Sequence, residues 1–185
     1  MRKVELSSIL AIGDYDKARP ALRERVLKAK EIRRIHVGEH LTFLFENFET
    51  VHYQVQEMIR TERIVEEAQI RHEIDTYNEL IGEQGELGCT LLIEIDDPEK
   101  RGTYLSKWMN LLSTIFIRAS DGSAVSPTYD ARQVGDSRIS SVHYLRFQMG
   151  DKIPAALGCN HPDVDRETVL SPQQIAALCQ DILAR

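Results

Sequence analysis

The segment Leu41–Glu46 is the strongest constraint on the fold of this 185-residue chain. Leu41, Phe43 and Phe45 alternate along one face of an extended strand, and Leu44 makes the opposite face apolar as well. A strand that is apolar on both faces has to be covered on both sides, so it belongs in the middle of a sheet. The sequence therefore predicts a sheet with other layers packed against it.

Other patterns predict what covers that sheet. In the segment Cys89–Ile95, the alternate residues Cys89, Leu91, Ile93 and Ile95 are all apolar and share one face, which predicts a second strand. The segments near 48–64 and 66–81 repeat apolar side chains at helical spacing. The order of elements favours α+β: a single domain over residues 1–185, with a mixed or antiparallel sheet covered by helices and a helical pair near 48–81.

The ends of other elements are predicted from local signals. Residues 16–34 read as a helix, with Pro20 in its first turn, where proline is tolerated. Asp97 is a candidate N-cap for a helix that runs to about Leu112. Residues 150–169 show no regular pattern, and we expect them to be irregular.

The net charge of −6 is unevenly distributed along the chain. Residues 1–35 carry ten Lys and Arg against five Asp and Glu, whereas residues 36–99 carry three against sixteen. Because phosphates need clustered cations, the acidic segment argues against nucleic-acid binding there. We expect the basic N-terminal helix to dock on the acidic part of the same fold. The less favoured alternative is DNA binding through Arg23, Arg25, Lys28, Arg33 and Arg34.

The composition also predicts a compartment. The longest apolar stretches are far shorter than the roughly 20 residues that span a bilayer, so no membrane partner is expected. The N-terminus lacks the apolar core and cleavage site of a signal peptide. Three widely spaced cysteines indicate free thiols in a reducing environment. The sequence thus predicts a cytoplasmic protein.

Several longer runs resemble a known family. These runs are Leu41–Asn47, Tyr53–Arg60, His72–Leu80, Leu92–Ile95 and Tyr144–Phe147. They resemble the bacterial domain-of-unknown-function family 3501, and the resemblance extends over nearly the whole chain. The family has no established activity, but its association with rubrerythrin-like and iron–sulfur proteins implies a redox or metal context.

The helical pair carries the polar residues that are candidates for chemistry. Glu62 falls on the apolar stripe of the first helix, so it must be paired, protonated or at the helix end. On the second helix, His72 with Asp75 forms an oriented base if another element covers that side. A structural ion pair or a solvated helix face is the alternative at each position. The complete candidate set is Glu57, Arg60, Glu62, Arg63, Arg71, His72, Asp75 and Asn78.

No metal site is predicted, and no cofactor is assigned. A di-iron helix would need a glutamate three residues before His72, and none is there. Cys159, His161 and Asp163 occupy alternate positions, and an extended loop does not easily wrap one ion with such side chains. We expect a turn that begins at Asn160 instead.

The sequence leaves two hypotheses about function, which belong to different classes. The favoured one is an accessory or interaction protein with a redox-type partner in an iron–sulfur context, because the chain has no Gly-rich phosphate loop or nucleophile-elbow motif. The alternative is a small-ligand-binding protein or enzyme, which requires the polar cluster to converge on one pocket. A homo-oligomer is compatible with both functions.

Overall fold

The computed structural model describes residues 2–184, which form five α-helices and eight β-strands. The helices are α1 (Ile12–Glu31), α2 (Phe48–Glu62), α3 (Glu67–Asn78), α4 (Pro98–Lys107) and α5 (Pro172–Leu183). The strands are β1 (Arg34–Val37), β2 (Leu41–Glu46), β3 (Glu86–Ile93), β4 (Ile115–Ala119), β5 (Ala124–Val125), β6 (Val142–Gln148), β7 (Pro154–His161) and β8 (Val164–Val169).

The strands form two open sheets of four strands each. One sheet has the order β1-β2-β3-β6 and the other β5-β4-β7-β8, and every neighbouring pair is antiparallel. Of the two arrangements that the sequence allows, the sheets are antiparallel. Short turns join β1 to β2, β4 to β5 and β7 to β8, whereas longer segments join the other neighbouring pairs. The predicted single-domain α+β fold is confirmed, with two sheets in place of one.

The main hydrophobic core contains residues of both sheets. Phe43 and Phe45 of β2 and Leu91 of β3 contribute from the first sheet, and Leu157 of β7 contributes from the second. All six residues of β2 are buried, as its two apolar faces predict. Burial of aromatic and aliphatic side chains of this size is the main force that holds the two sheets together.

A second, smaller core belongs to the helical pair. Val51, Val55 and Ile59 of α2 pack with Ile74 of α3 and with Val4 of the N-terminal segment. The helical pair predicted near 48–81 is therefore confirmed, with α2 and α3 ending slightly earlier than the predicted segments.

The predicted start of the first helix is wrong. The helix α1 begins at Ile12, so Pro20 lies in its interior and not in its first turn. No side chain caps the helix at Ala11, which explains why the sequence gives no signal there. The ring of Pro20 removes the hydrogen bond to the Asp16 carbonyl, and water can satisfy that carbonyl because both residues are exposed.

Two further predictions about the second half of the chain are wrong. Residues 150–169 are not irregular, because β7 and β8 form an antiparallel hairpin there. The helix that begins at Pro98 ends at Lys107, and a separate 3₁₀ turn covers Leu111–Thr114. The predicted cap of that helix by Asp97 is confirmed, since its side chain accepts hydrogen bonds from the backbone N–H groups of the first turn.

The structure also bears on the predicted thiols and membrane segments. Cys89 and Cys159 are buried, Cys179 is half-buried, and all three are free thiols as predicted. Within residues 2–184, no helix combines the length and apolar character needed to cross a membrane.

Candidate functional site

Glu57, a member of the predicted polar cluster, forms hydrogen bonds with two side chains of α1. Its Oε1 accepts hydrogen bonds from Arg19 Nε at 2.7 Å and from Tyr15 Oη at 2.6 Å, and its Oε2 accepts one from Arg19 Nη2 at 2.8 Å. The Arg19 hydrogen bonds, reinforced by Tyr15, lower the pKa of Glu57 from 4.5 to about 2. This carboxylate is fully occupied in holding two helices together.

Other charged groups join α1 to α2 in the same way. Arg60 donates to Asp16 at 2.5 Å, and Arg25 forms an ion pair with Glu49. The prediction that the basic N-terminal helix docks on the acidic part of the fold is confirmed by these pairs. Three cations of the DNA-binding alternative are paired within the fold, since Arg25 binds Glu49, Lys28 binds Glu24 and Arg33 binds Asp181.

Arg71 and Asn78 have local structural contacts. Arg71 forms an ion pair with Glu67 one turn earlier on α3, and both side chains are exposed. The Asn78 side chain accepts a hydrogen bond from the Val4 N–H at 2.8 Å and donates one to the Val4 carbonyl at 2.9 Å. Asn78 thereby fixes the N-terminal segment against the end of α3.

The remaining four candidates are exposed. Glu62 lies at the end of α2, where Arg63 ends the helix with a left-handed backbone (φ 54°). His72 and Asp75 lie on the exposed side of α3. The eight candidate residues therefore do not share one pocket, and none of them lines either cleft described next.

The larger cleft, here called the α3–β6 cleft, has a volume of about 550 Å³. It lies between the C-terminal end of α3, the outer edge of β6 and a loop that follows β5. Its lining residues are Thr76, Tyr77, Glu79, Leu80, Cys89, Thr128, Tyr129, Asp130, Gln133, Tyr144, Leu145 and Arg146. Three tyrosines and two leucines give it largely apolar walls.

The loop at this cleft is held to β6 by strand-like hydrogen bonds. The Gln133 side chain accepts from the Tyr144 N–H at 2.7 Å and donates to the Tyr144 carbonyl at 3.1 Å. Thr128 and Arg146 exchange two backbone hydrogen bonds at 2.8 and 2.9 Å. The loop thus occupies the edge of β6 in place of a neighbouring strand, which fixes one wall of the cleft.

Arg146 is the half-buried charged group of the α3–β6 cleft. Its Nη2 donates to the Glu79 carbonyl at 2.8 Å, and within residues 2–184 no carboxylate lies within 4.0 Å of its guanidinium. Asp130 is bound to Arg132, whose hydrogen bond lowers the pKa of Asp130, and the Glu79 side chain is exposed at the rim. Arg146 therefore keeps donors for an anionic group.

The second cleft, here called the hairpin cleft, has a volume of about 490 Å³. It lies between the β1–β2 turn, the β7–β8 turn and α4. Its lining residues are Gly38, Glu39, His40, Tyr104, Lys107, Trp108, Pro162, Asp163, Val164, Asp165 and Arg166. The charged residues are exposed, whereas His40, Tyr104 and the fully buried Trp108 form the floor.

Asp163 is already satisfied within the hairpin cleft. Its Oδ1 accepts a hydrogen bond from Lys107 Nζ at 2.9 Å, and its Oδ2 accepts one from Trp108 Nε1 at 2.8 Å. These bonds, that from Lys107 first, lower the pKa of Asp163. This carboxylate couples the β7–β8 turn to the end of α4.

His40 is oriented by a backbone contact. Its Nδ1 lies 3.2 Å from the Glu94 carbonyl, and a carbonyl oxygen only accepts, so in this contact Nδ1 carries the proton. In the neutral imidazole, Nε2 is then the acceptor. The ring centroids of His40 and Tyr104 are 5.7 Å apart, and those of Tyr104 and Trp108 are 4.9 Å apart.

Comparison with known proteins identifies the family. The family described as protein of unknown function (DUF3501) matches residues 3–182. The chain belongs to the DUF3501 family. It is similar to a crystal structure of a protein of unknown function from Burkholderia pseudomallei K96243, with a TM-score of 0.89 and 29% identity over 98% of this chain and 100% of that chain. No curated protein matches the chain.

Cys159, His161 and Asp163 of this DUF3501 protein, which alternate along the chain, each have contacts within the fold. Cys159 is buried with its thiol 3.3 Å from Thr114 Oγ1, and His161 Nδ1 accepts from the Asp163 N–H at 3.2 Å. Asn160 lies within β7, so the turn predicted to begin there comes later, after His161. In residues 2–184, no three His, Cys, Asp or Glu side chains are grouped as metal ligands.

Sequence patterns did not predict that the residues lining the two clefts of this DUF3501 protein form sites. Tyr144 and Arg146 alternate on β6 with the buried Leu145 and Phe147, which is the one signal that sets them on an outer face. His40 and Arg166 belong to separate hairpins, and no spacing in the sequence shows that the two hairpins face one cleft.

Proposed function

We propose that the protein binds a small organic anion with an apolar body, and that the α3–β6 cleft holds it. The observation that carries this proposal is the half-buried Arg146 guanidinium, which faces no carboxylate within 4.0 Å among residues 2–184. A charge of this kind within apolar walls favours a ligand that neutralises it.

The size and walls of the cleft support a ligand of this class. A volume of about 550 Å³ is in the range of small-molecule sites, which reach roughly 300–1,000 Å³. Tyr77, Tyr129 and Tyr144 provide flat apolar surfaces, and in residues 2–184 their hydroxyls have no hydrogen-bond partner. Such walls suit an aromatic or aliphatic body with a polar end.

Arg146 is positioned in advance for the anionic end. The Glu79 carbonyl holds one side of its guanidinium, which leaves other N–H groups of the planar fork for a carboxylate. A bidentate contact of this kind adds geometric selectivity to charge attraction. The ligand therefore carries a carboxylate or a similar planar anion.

The predicted accessory role beside a redox or iron–sulfur partner rests on the family resemblance and remains a prediction. Ligand binding is compatible with such a role, because an accessory protein can present its ligand to a partner. Cytoplasmic location also remains a prediction, which rests on the composition of the chain. Capture experiments with the wild-type protein and the Arg146→Gln variant separate a ligand-dependent partner from a ligand-independent one.

The proposal is tested by calorimetry with pairs of ligands that differ only in charge. We expect phenylacetate and hexanoate to bind, and the neutral amides phenylacetamide and hexanamide to bind roughly ten- to hundredfold more weakly. Hydrogen bonds to charged groups contribute about 1.5–3 kcal/mol, which corresponds to that range. Arg146→Gln should remove the preference for the anion.

Arg71→Gln is the matched control. Arg71 lies on α3, pairs with Glu67 and does not line the cleft, so the preference for anions should persist. Equal binding of acid and amide, a preference that survives in Arg146→Gln, or no binding of either acid at millimolar concentration would each refute the proposal.

A further inference from the structure

The hairpin cleft presents charges of both signs that do not neutralise one another. Arg166 donates through Nη1 to the backbone carbonyl of Asp165 at 2.9 Å, and within residues 2–184 no carboxylate lies within 4.0 Å of its guanidinium. Glu39 and Asp165 likewise form no ion pair in this part of the chain. Lys107 and Asp163 differ from these groups, because they are bound to each other.

We infer that the hairpin cleft is a second binding site and that it takes a small zwitterion, such as a free amino acid. The ligand carboxylate would bind Arg166 and the free donors of Lys107, and the ligand ammonium would bind Glu39 and Asp165. A simple anion would meet the two carboxylates, and a simple cation would meet Arg166. A ligand that carries both charges avoids both repulsions.

The floor of the cleft suits the body of such a ligand. His40 and Tyr104 are half-buried, and both pack near the buried ring of Trp108. The contact of His40 Nδ1 with the Glu94 carbonyl makes Nε2 of the neutral imidazole an acceptor, which is a further partner for an ammonium group. Aromatic faces also attract cations.

The frame of the cleft is tightly built. The β1–β2 turn passes Val164 so closely that a Cβ at Gly38 would lie 3.2 Å from Val164 Cγ1. Gly38 also has a backbone φ of 65°, which favours glycine. On the opposite side, Asp163 binds both Lys107 and Trp108. The charged groups are therefore carried on elements whose relative positions are fixed.

The single tryptophan of the chain makes this site directly observable. Trp108 lines the hairpin cleft and donates its indole N–H to Asp163, so a carboxylate that approaches Lys107 changes the electrostatic field at the indole. Selective excitation of Trp108 reports on this cleft, and calorimetry measures binding independently of fluorescence.

The experiment compares phenylalanine with analogues that lack one charge or both. These analogues are 2-phenylethylamine, 3-phenylpropanoate and N-acetylphenylalanine amide. The analogues are compared in Arg146→Gln, because the α3–β6 cleft of the wild type is itself proposed to bind anions such as 3-phenylpropanoate. There we expect saturable binding of phenylalanine and at least about fivefold weaker binding of each analogue, because the charged groups are exposed and each pair contributes little. Arg166→Gln should weaken phenylalanine binding about fivefold and should not weaken the binding of 2-phenylethylamine, because the positive charge that repels the amine is gone.

Two variants serve as controls. Arg118→Gln removes an arginine that pairs with Glu167 and does not line the cleft, so it should bind phenylalanine as the wild type does. Arg146→Gln should also leave this response unchanged, which separates the second site from the α3–β6 cleft.

Three results would overturn the inference. They are the absence of saturable phenylalanine binding in both measurements, binding of 2-phenylethylamine or 3-phenylpropanoate to Arg146→Gln that is as tight as that of phenylalanine, and undiminished phenylalanine binding in folded Arg166→Gln. Thermal unfolding of each variant establishes that it is folded.

Discussion

Arg19 and Arg146 are both half-buried arginines, but their surroundings differ. In the helical layer, formed by α1, α2 and α3, Arg19 donates two hydrogen bonds to the Glu57 carboxylate. In the α3–β6 cleft, Arg146 donates to a backbone carbonyl, and no carboxylate of residues 2–184 lies within 4.0 Å of its guanidinium. The same side chain thus completes a folded interface in one region and is left available in the other.

This difference separates stability from ligand binding. A paired charge stabilises the fold, and its loss leaves a partner without its counter-charge. An unpaired charge at a cleft contributes little to the fold and much to a ligand that neutralises it. We therefore expect substitutions in paired groups to change the free energy of unfolding, and substitutions at Arg146 or Arg166 to change binding.

The largest effect on stability is expected at the buried pair of Arg33 and Asp181. Arg33 donates to both Asp181 oxygens, at 2.7 and 3.0 Å, and the two side chains are only 6% and 7% exposed. Asp181→Ala leaves a buried guanidinium unpaired, which should lower the free energy of unfolding by about 3–5 kcal/mol. Urea unfolding at neutral pH measures this loss.

Asp181→Asn provides the control for shape, because it keeps the side-chain volume and removes the charge. Asp181→Asn should also be strongly destabilised. The folded fraction of both Asp181 variants should still bind phenylacetate more tightly than phenylacetamide. A loss of less than about 1 kcal/mol in both variants would show that the buried pair does not stabilise the fold.

The contrast between regions also explains how much of the fold the sequence could predict. The strand β2 and the helical pair carry their signals in their own residues, as in Leu41–Glu46 with its two apolar faces. The strand β8 does not, because most of its residues are exposed and polar and its conformation comes from pairing with β7. Secondary structure that depends on a distant partner leaves little trace in a local pattern.

The same reasoning applies to the candidate site. Glu57 and Arg60 stand out as charged residues on a helix with an apolar stripe, and the sequence does not show that α1 brings Arg19 and Asp16 to meet them. Arg146 and Tyr77 lie in distant segments, so their shared cleft exists only in the folded chain. Local chemistry was visible in the sequence, whereas the pairing that decides its availability was not.

A smaller effect is expected at Glu57. The folded pKa is lowered to about 2, below the usual 4.5, so its stabilisation is present above pH 4.5 and is lost as the pH falls toward 2. Glu57→Gln should lower the free energy of unfolding at neutral pH by about 1–3 kcal/mol. It should also flatten the acid-induced loss over that pH range. Unfolding in urea at several pH values measures both effects, and an unchanged pH profile would contradict the assignment.

Glu46 should show the opposite pH dependence and a smaller change. It is buried and accepts hydrogen bonds from Thr50 and Thr90, and burial raises its pKa above 4.5. The group therefore favours the folded state below pH 4.5, and this contribution is lost as the pH rises through the folded pKa. Glu46→Gln should be at least as stable as the wild type at neutral pH. Its free energy of unfolding should no longer fall as the pH rises above 4.5 on account of this group. A variant that keeps the decline would exclude Glu46 as its source.

The smallest effect is expected at Arg71, the arginine that best sharpens the contrast with Arg146. Arg71 and Glu67 form an i,i+4 pair on α3, and their side chains are 58% and 65% exposed. Because water screens such a pair, Arg71→Gln should change the free energy of unfolding by no more than about 0.5 kcal/mol. It should also leave phenylacetate binding intact, since Arg71 lies outside the α3–β6 cleft. Arg146→Gln removes the same charge from a different position. If Arg71→Gln weakened phenylacetate binding as much as Arg146→Gln does, the net charge of the protein would attract the ligand, and the position of the Arg146 guanidinium would not matter.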